Sequence, residues 1–344
     1  MKRQFLAFAL LLCLFPLPAA AAKKTVPPKR AKILKFATVA PKGTSFHVAL
    51  QRMAQQWKSA PGGVNVTIHT DGAMGSESDV VRRMRVGQLH GALLTVTGLA
   101  DIDPSATALQ EMPLVFADLD EVDYVRTHMQ AMISERLRRK GFVVLFWADA
   151  GWVRFFSRNP AMAPDELRRQ KVFVTASSRH QADLMKSLGY DAVPLEFSDA
   201  LTSLKTGMID VIPTAPFHAL AGQYFTVAKH MLELNWVPLV GALVVTAKEW
   251  DALPPETQIA FAKAAAEAGA EIQKRGRAES DQAVAAMKKR GLVTHALTPQ
   301  ARREWEKVAK SLYPSIRGGR VPADVFDEVQ RLLLTRRAAI AGTR

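Results

Sequence analysis

Residues 171–212 read KVFVTASSRHQADLMKSLGYDAVPLEFSDALTSLKTGMIDVI, and the rhythm of that stretch decides the fold. The apolar run at 171–175 reads as a strand. Ala176-Ser177-Ser178 then leads into a helix with apolar residues at Leu184, Met185 and Leu188, stopped by Gly189. A second strand follows at 192–195. Ser198 or Asp199 caps a helix carrying Leu201 and Leu204, Gly207 stops it, and 209–212 is a third strand.

The same order stands earlier in the chain. Residues 33–39 read as a strand, and Thr44 or Ser45 caps a helix with Phe46, Ala49, Leu50, Met53 and Trp57 on one face. Pro61-Gly62-Gly63 ends that helix, 64–69 alternates like a strand, and Val80, Val81 and Met84 mark a helix that stops at Gly87. A strand at 89–96 completes the unit. The junctions match as well: Met84-Arg85-Val86-Gly87-Gln88-Leu89 against Leu204-Lys205-Thr206-Gly207-Met208-Ile209. Two strand–helix–strand–helix–strand units predict an α/β protein of two similar lobes, each with a mixed, mostly parallel sheet flanked by helices.

Between the units a helix of about 20 residues is expected at 119–140, followed by strands at 142–147 and 154–157 that cross between lobes. Strands at 231–236 and 240–246 come after the second unit, and 254–334 reads as amphipathic helix broken at Gly291-Leu292-Val293. Helices of that length suit a brace along both lobes. The division is therefore lobe one at 31–150 with return strands near 215–250, lobe two at 151–214 with C-terminal helices near 251–335, and a basic tail at 336–344.

Composition supports a globular chain: 344 residues, 48% hydrophobic and 23% charged. Met1-Lys2-Arg3, an apolar run and Ala19-Ala20-Ala21-Ala22 have the anatomy of a secretory signal peptide at 1–22, before a basic, proline-containing linker at 23–30. That predicts a periplasmic protein. The single cysteine, Cys13, lies in the leader, so the exported chain is expected to carry no disulfide. Lys and Arg exceed Asp and Glu by 46 − 32 = 14. These charges are spread along helices with no basic tract interleaved with aromatics, which argues against nucleic acid.

Ligands of open α/β sheets sit beyond the carboxyl ends of the strands. Two lobes facing each other through such loops make a cleft. The cleft carries no G-x-S-x-G elbow, P-loop, G-x-G-x-x-G or H-E-x-x-H, and eight scattered histidines give no zinc spacing. Binding without catalysis, cofactor or metal is the expectation.

At this point the residues resemble the DctP-type periplasmic solute-binding proteins of tripartite ATP-independent periplasmic (TRAP) transporters. Gly72-Ala73-Met74-Gly75 is similar to that family's "QLG" loop, Met112-Pro113-Leu114-Val115-Phe116 to "LPFLF", 188–198 to "LGANPTPMAFSE" and 200–210 to "VYTALQTGVVDG". The similarity runs from about 31 to 290. It implies a two-lobed fold closing over a small organic ligand, a long helix bracing both lobes, and delivery to small and large TRAP membrane subunits. It also admits a helical-repeat periplasmic partner, since some such relatives with altered pockets associate with one.

The departures are specific. Phe173 stands where the family's "LKIRVP" strand has its carboxylate-clamping arginine, Val153 falls on the arginine of "GxR" with Arg154 beside it, and Thr214 replaces the asparagine of "DGQEN". Losing a guanidinium fork removes bidentate carboxylate recognition. The expected ligand is therefore more apolar, held by Phe173, Trp152, Phe217 and Trp236. Thr95, Thr175, Thr214 and Arg154 are the expected polar contacts.

Overall fold

The computed structural model describes residues 32–176 and 179–342. The expected leader at 1–22, the linker at 23–30, Ser177-Ser178 and Arg344 lie outside them. In lobe one, β1 (Ile33–Thr38) runs parallel to β2 (Asn65–His69) and β3 (Gly91–Thr95), joined by α1 (Ser45–Ser59) and α2 (Glu77–Arg85). Then come α3 (Val96–Ala100), α4 (Leu119–Arg139) and the long β4 (Phe142–Ser157). Lobe two repeats the pattern after α5 (Pro164–Arg168): β5 (Lys171–Thr175), α6 (Arg179–Ser187), β6 (Asp191–Leu195), α7 (Ala200–Thr206) and β7 (Val211–Thr214). Here β5 runs parallel to both β6 and β7. The chain continues through α8 (Pro216–Ala221), β8 (His230–Thr246), α9 (Ala247–Asp251), α10 (Pro255–Lys288), β9 (Val293–His295), α11 (Pro299–Ile316) and α12 (Ala323–Ala341).

The matched junctions of the two units are the same backbone device. Gly87 and Gly207 follow α2 and α7 at φ 75° and 73°, the left-handed region where a side chain meets its own carbonyl. Each lets the chain reverse into the next strand within two or three residues.

All strands belong to one sheet, ordered β2-β1-β3-β8-β4-β7-β5-β6, with β9 on β8. The four separate strands expected from sequence, of which only 142–147 and 154–157 were expected to cross, are two continuous ones, β4 and β8, paired antiparallel through both lobes. The expected boundary at 150/151 thus falls inside a strand. The pairing shifts register between Asp149 and Trp152, where Gly151 has φ 79°, and again between Val153 and Phe155. Bulges of this kind bend a sheet without breaking it, so two lobes arise from one sheet.

Helix α10, 34 residues long, is the brace. Trp57 of α1 stacks on its Phe261 at 4.3 Å, and Ser280 Oγ donates to the Ala150 carbonyl at 2.8 Å. Arg277 grips Asp149 of β4 and Asp123 of α4. The C-terminal helices are accordingly not an appendage of lobe two. Helix α10 touches both lobes, and α12 lies against α4 of lobe one. The expected basic tail needs the same correction: 336–341 continue α12, and Arg337 binds Glu121 through two hydrogen bonds at 2.7 Å and the Val115 carbonyl at 2.8 Å. A buried carboxylate at the start of α4 turns what reads as solvated charge into a clasp.

Candidate functional site

The carboxyl ends of four parallel strands reach one cavity of about 320 Å³, and each ends in a threonine that lines it: Thr38, Thr95, Thr175 and Thr214. The two units were read from apolar periodicity, and this convergence is the consequence of stacking them about shared strands. Among the described residues no helix is long and apolar enough to cross a membrane, and no group of three His, Cys, Asp or Glu is placed to hold a metal ion.

Six of the eight sequence-derived candidates line the cavity: Thr95, Thr175, Thr214, Phe173, Phe217 and Trp236. Trp152 and Arg154 do not, and their expected contact with ligand is withdrawn. The bulged segment of β4 presents Val153 and Phe155 instead. Trp152 is buried in the apolar cluster that also holds Trp147 and Val240. Arg154 extends to Asn235 Oδ1 at 3.4 Å, near Asp281 and Glu233, and burial lowers its pKa against the pull of those carboxylates.

The walls are aromatic. Phe173 sits 4.9 Å from Phe197 between ring centroids, and Phe46 of α1 stacks on Phe217 of α8 at 5.0 Å, so one ring pair joins the two halves of the fold. His218 lies against Phe197, Phe217 and Tyr224, and its Nδ1 is 3.3 Å from Thr214 Oγ1. Burial pushes its pKa down to about 4, with Asp71 opposing weakly, so the ring is neutral at pH 7.

The polar corner is built on Glu77 at the start of α2. It accepts hydrogen bonds from the Thr95 backbone N–H at 2.7 Å, the Thr95 hydroxyl, and the Gly98 N–H at 3.1 Å. Burial raises its pKa, and those three donors pull it back. Sequence alone reads Glu77 as a helix-start carboxylate; its partners lie about twenty residues away and appear only when β3 is laid beside α2. Glu196, from the lobe-two loop, is also raised by burial and by Asp79 and Asp199.

Positive charge is nearly absent. Arg320 is the one arginine or lysine lining the cavity among the described residues, and it is committed to Glu111 through Nε and Nη2, the latter at 2.8 Å. Asp149, the other lining carboxylate, has a fully buried side chain and is neutralised by Arg277 at 2.6 and 2.8 Å. Two lining hydroxyls behave differently. Thr175 Oγ1 and Tyr190 OH are buried and have no hydrogen-bond partner among the described residues.

A two-lobed sheet with an interlobar cavity, aromatic walls and a few fixed polar groups defines a ligand-binding protein. The sequence profile of the bacterial extracellular solute-binding proteins, family 7 (DctP), matches residues 36–317, and the chain belongs to that family. It is a solute receptor and not an enzyme. It is 24% identical over 283 residues to the C4-dicarboxylate-binding periplasmic protein DctP of Rhodobacter capsulatus, spanning 80% of this chain and 84% of that one. Among solved structures, a TRAP periplasmic solute-binding protein from Shewanella oneidensis with bound succinate superimposes with a TM-score of 0.81 at 20% identity, covering 88% of this chain and 99% of its own. One from Xanthobacter autotrophicus with bound β-D-galacturonate gives 0.79 at 20% identity, covering 87% and 98%. These likenesses fix the fold.

Proposed function

We propose that this chain is a periplasmic receptor that captures a small, uncharged and largely apolar organic solute between its lobes and delivers it to TRAP-type membrane subunits. One observation carries the ligand class. The cavity holds no uncommitted cation among the described residues, while the Glu77 and Glu196 carboxyls line it. A carboxylate ligand taken out of water needs a charged or multiply donating partner. Here Phe173 occupies the position where the family resemblance places an arginine fork.

The named relatives point to acids: the Rhodobacter capsulatus protein is called C4-dicarboxylate-binding, and the solved neighbours hold succinate or galacturonate. Delivery to TRAP subunits is carried over from that kinship. The acid is not, because among the described residues no uncommitted arginine or lysine lines the cavity.

Mass spectrometry of the natively purified protein, gently desolvated, tests the reading through the molecule that it retains. A neutral compound is expected, and isothermal titration with succinate or D-galacturonate should give no heat of binding. A retained carboxylic acid, or micromolar affinity for either acid, overturns the proposal.

A further inference from the structure

The cavity does not stop at the carboxyl ends of the strands. Leu167, before β5, and Tyr190, before β6, line it too, although they stand at the amino ends. From Tyr190 to Leu195 is about five residue steps, roughly 16 Å of strand. The space therefore continues from the interlobar cleft along the face of the lobe-two sheet.

Two helices wall this arm. From α6 and the residue after it come Gln181, Leu184, Met185 and Leu188, at steps of three, one and three. From α11 come Trp305, Val308, Leu312 and Ile316, at steps of three, four and four. Each set is one helical stripe. Trp305, Leu312 and Ile316 are buried in the core, while Leu184, Met185, Leu188 and Val308 are only half-buried and leave part of their apolar surface to the cavity. Trp236 of β8 lines the arm as well, 5.5 Å from the Trp305 ring.

The second observation is polar. The Thr175 hydroxyl, at the carboxyl end of β5 among the strand-end threonines, has no partner among the described residues. A buried hydroxyl without a partner costs stability. Such groups persist where a bound molecule supplies the acceptor.

We infer that the ligand is an elongated amphipath, a hydrocarbon chain of lipid dimensions bearing a neutral polar end, with its head among the strand-end threonines and its chain in the arm between α6 and α11. The inference rests on the cavity being a solute site and gives that solute its shape. Helix α11 thereby becomes the wall that measures chain length.

The test is a homologous series of linear primary alcohols, from butanol to tetradecanol, titrated by calorimetry and by quenching of tryptophan fluorescence. Each methylene should tighten binding by roughly three- to fourfold until the arm is full, after which affinity levels off. Val308→Trp, which fills the arm from α11, should move the levelling point to shorter alcohols. Leu184→Trp, from the facing wall, should do the same and serves where the first variant does not fold. Affinity independent of chain length, or a levelling point unmoved in a folded variant of either kind, overturns the arm. Chain-length dependence alongside a retained carboxylic acid overturns the neutral-head reading and leaves the arm standing.

Discussion

Arg277→Met removes the cation that holds the brace to the crossing strand. In the native protein Arg277 makes four hydrogen bonds: to Asp149 at 2.8 and 2.6 Å and to Asp123 at 2.9 and 2.8 Å. Burial works against its charge, yet the two carboxylates raise its pKa above the ordinary value. The two acids are not equal. The Asp149 side chain is fully buried, whereas Asp123 is 32% exposed and keeps Arg126 at 2.9 Å. Loss of the arginine leaves Asp149 as an uncompensated buried charge, a change that costs about 3–5 kcal/mol. The Asp123 share is screened and adds at most about 1 kcal/mol. Urea unfolding followed by circular dichroism should therefore place the variant about 3–5 kcal/mol below wild type. Asp149→Asn in the same background should recover about 1–3 kcal/mol by removing the stranded charge.

The pH dependence carries its own sign. Burial raises the Asp123 pKa, but the hydrogen bonds and charges of Arg277 and Arg126 outweigh it and leave the folded value depressed. Its contribution is present above the unfolded value of about 3.9 and is lost as pH falls through the lower folded value. The gap between wild type and variant should narrow below about pH 4. A stability loss under about 1 kcal/mol at pH 7 would refute the claim that this pair fastens α10 to β4.

Four further outcomes follow from the same structure. Phe173→Arg places a guanidinium in the cavity wall; it should introduce measurable succinate or D-galacturonate binding by calorimetry while costing about 3–5 kcal/mol of packing. Trp57→Ala empties the slot against Phe261, and a loss of about 3–5 kcal/mol in urea titration is expected. Gly87→Ala meets no atom within 4 Å, so its cost, about 1 kcal/mol, should come from φ 75° alone. His218 is neutral when folded, with a pKa of about 4, and charges near 6.5 when unfolded. Stability should therefore fall by about 3 kcal/mol between pH 6.5 and 4, and His218→Asn should flatten that slope.

The element order was legible because it rests on local periods. Apolar spacing marked β5, β6 and β7, the glycines at 87 and 207 marked the helix stops, and the likeness of the two junctions revealed the duplication. The eight candidates separate along the same line. Thr95, Thr175 and Thr214 sit at strand ends, which alternation locates well, and they line the cavity. Trp152 and Arg154 sit where β4 bulges, and a bulge changes which side chain faces inward without leaving a mark in the composition.

What the amino-acid sequence determined by itself was two α/β units and a helical C-terminal third, because each is written in neighbouring residues. Only the tertiary structure decided that one sheet runs through both lobes, that Arg277 and Arg337 are clasps, and that residues of α6 and α11 line the cavity. Those facts depend on partners as much as 222 residues apart. An apolar stripe has the same spacing whether it meets a neighbouring helix or a cavity.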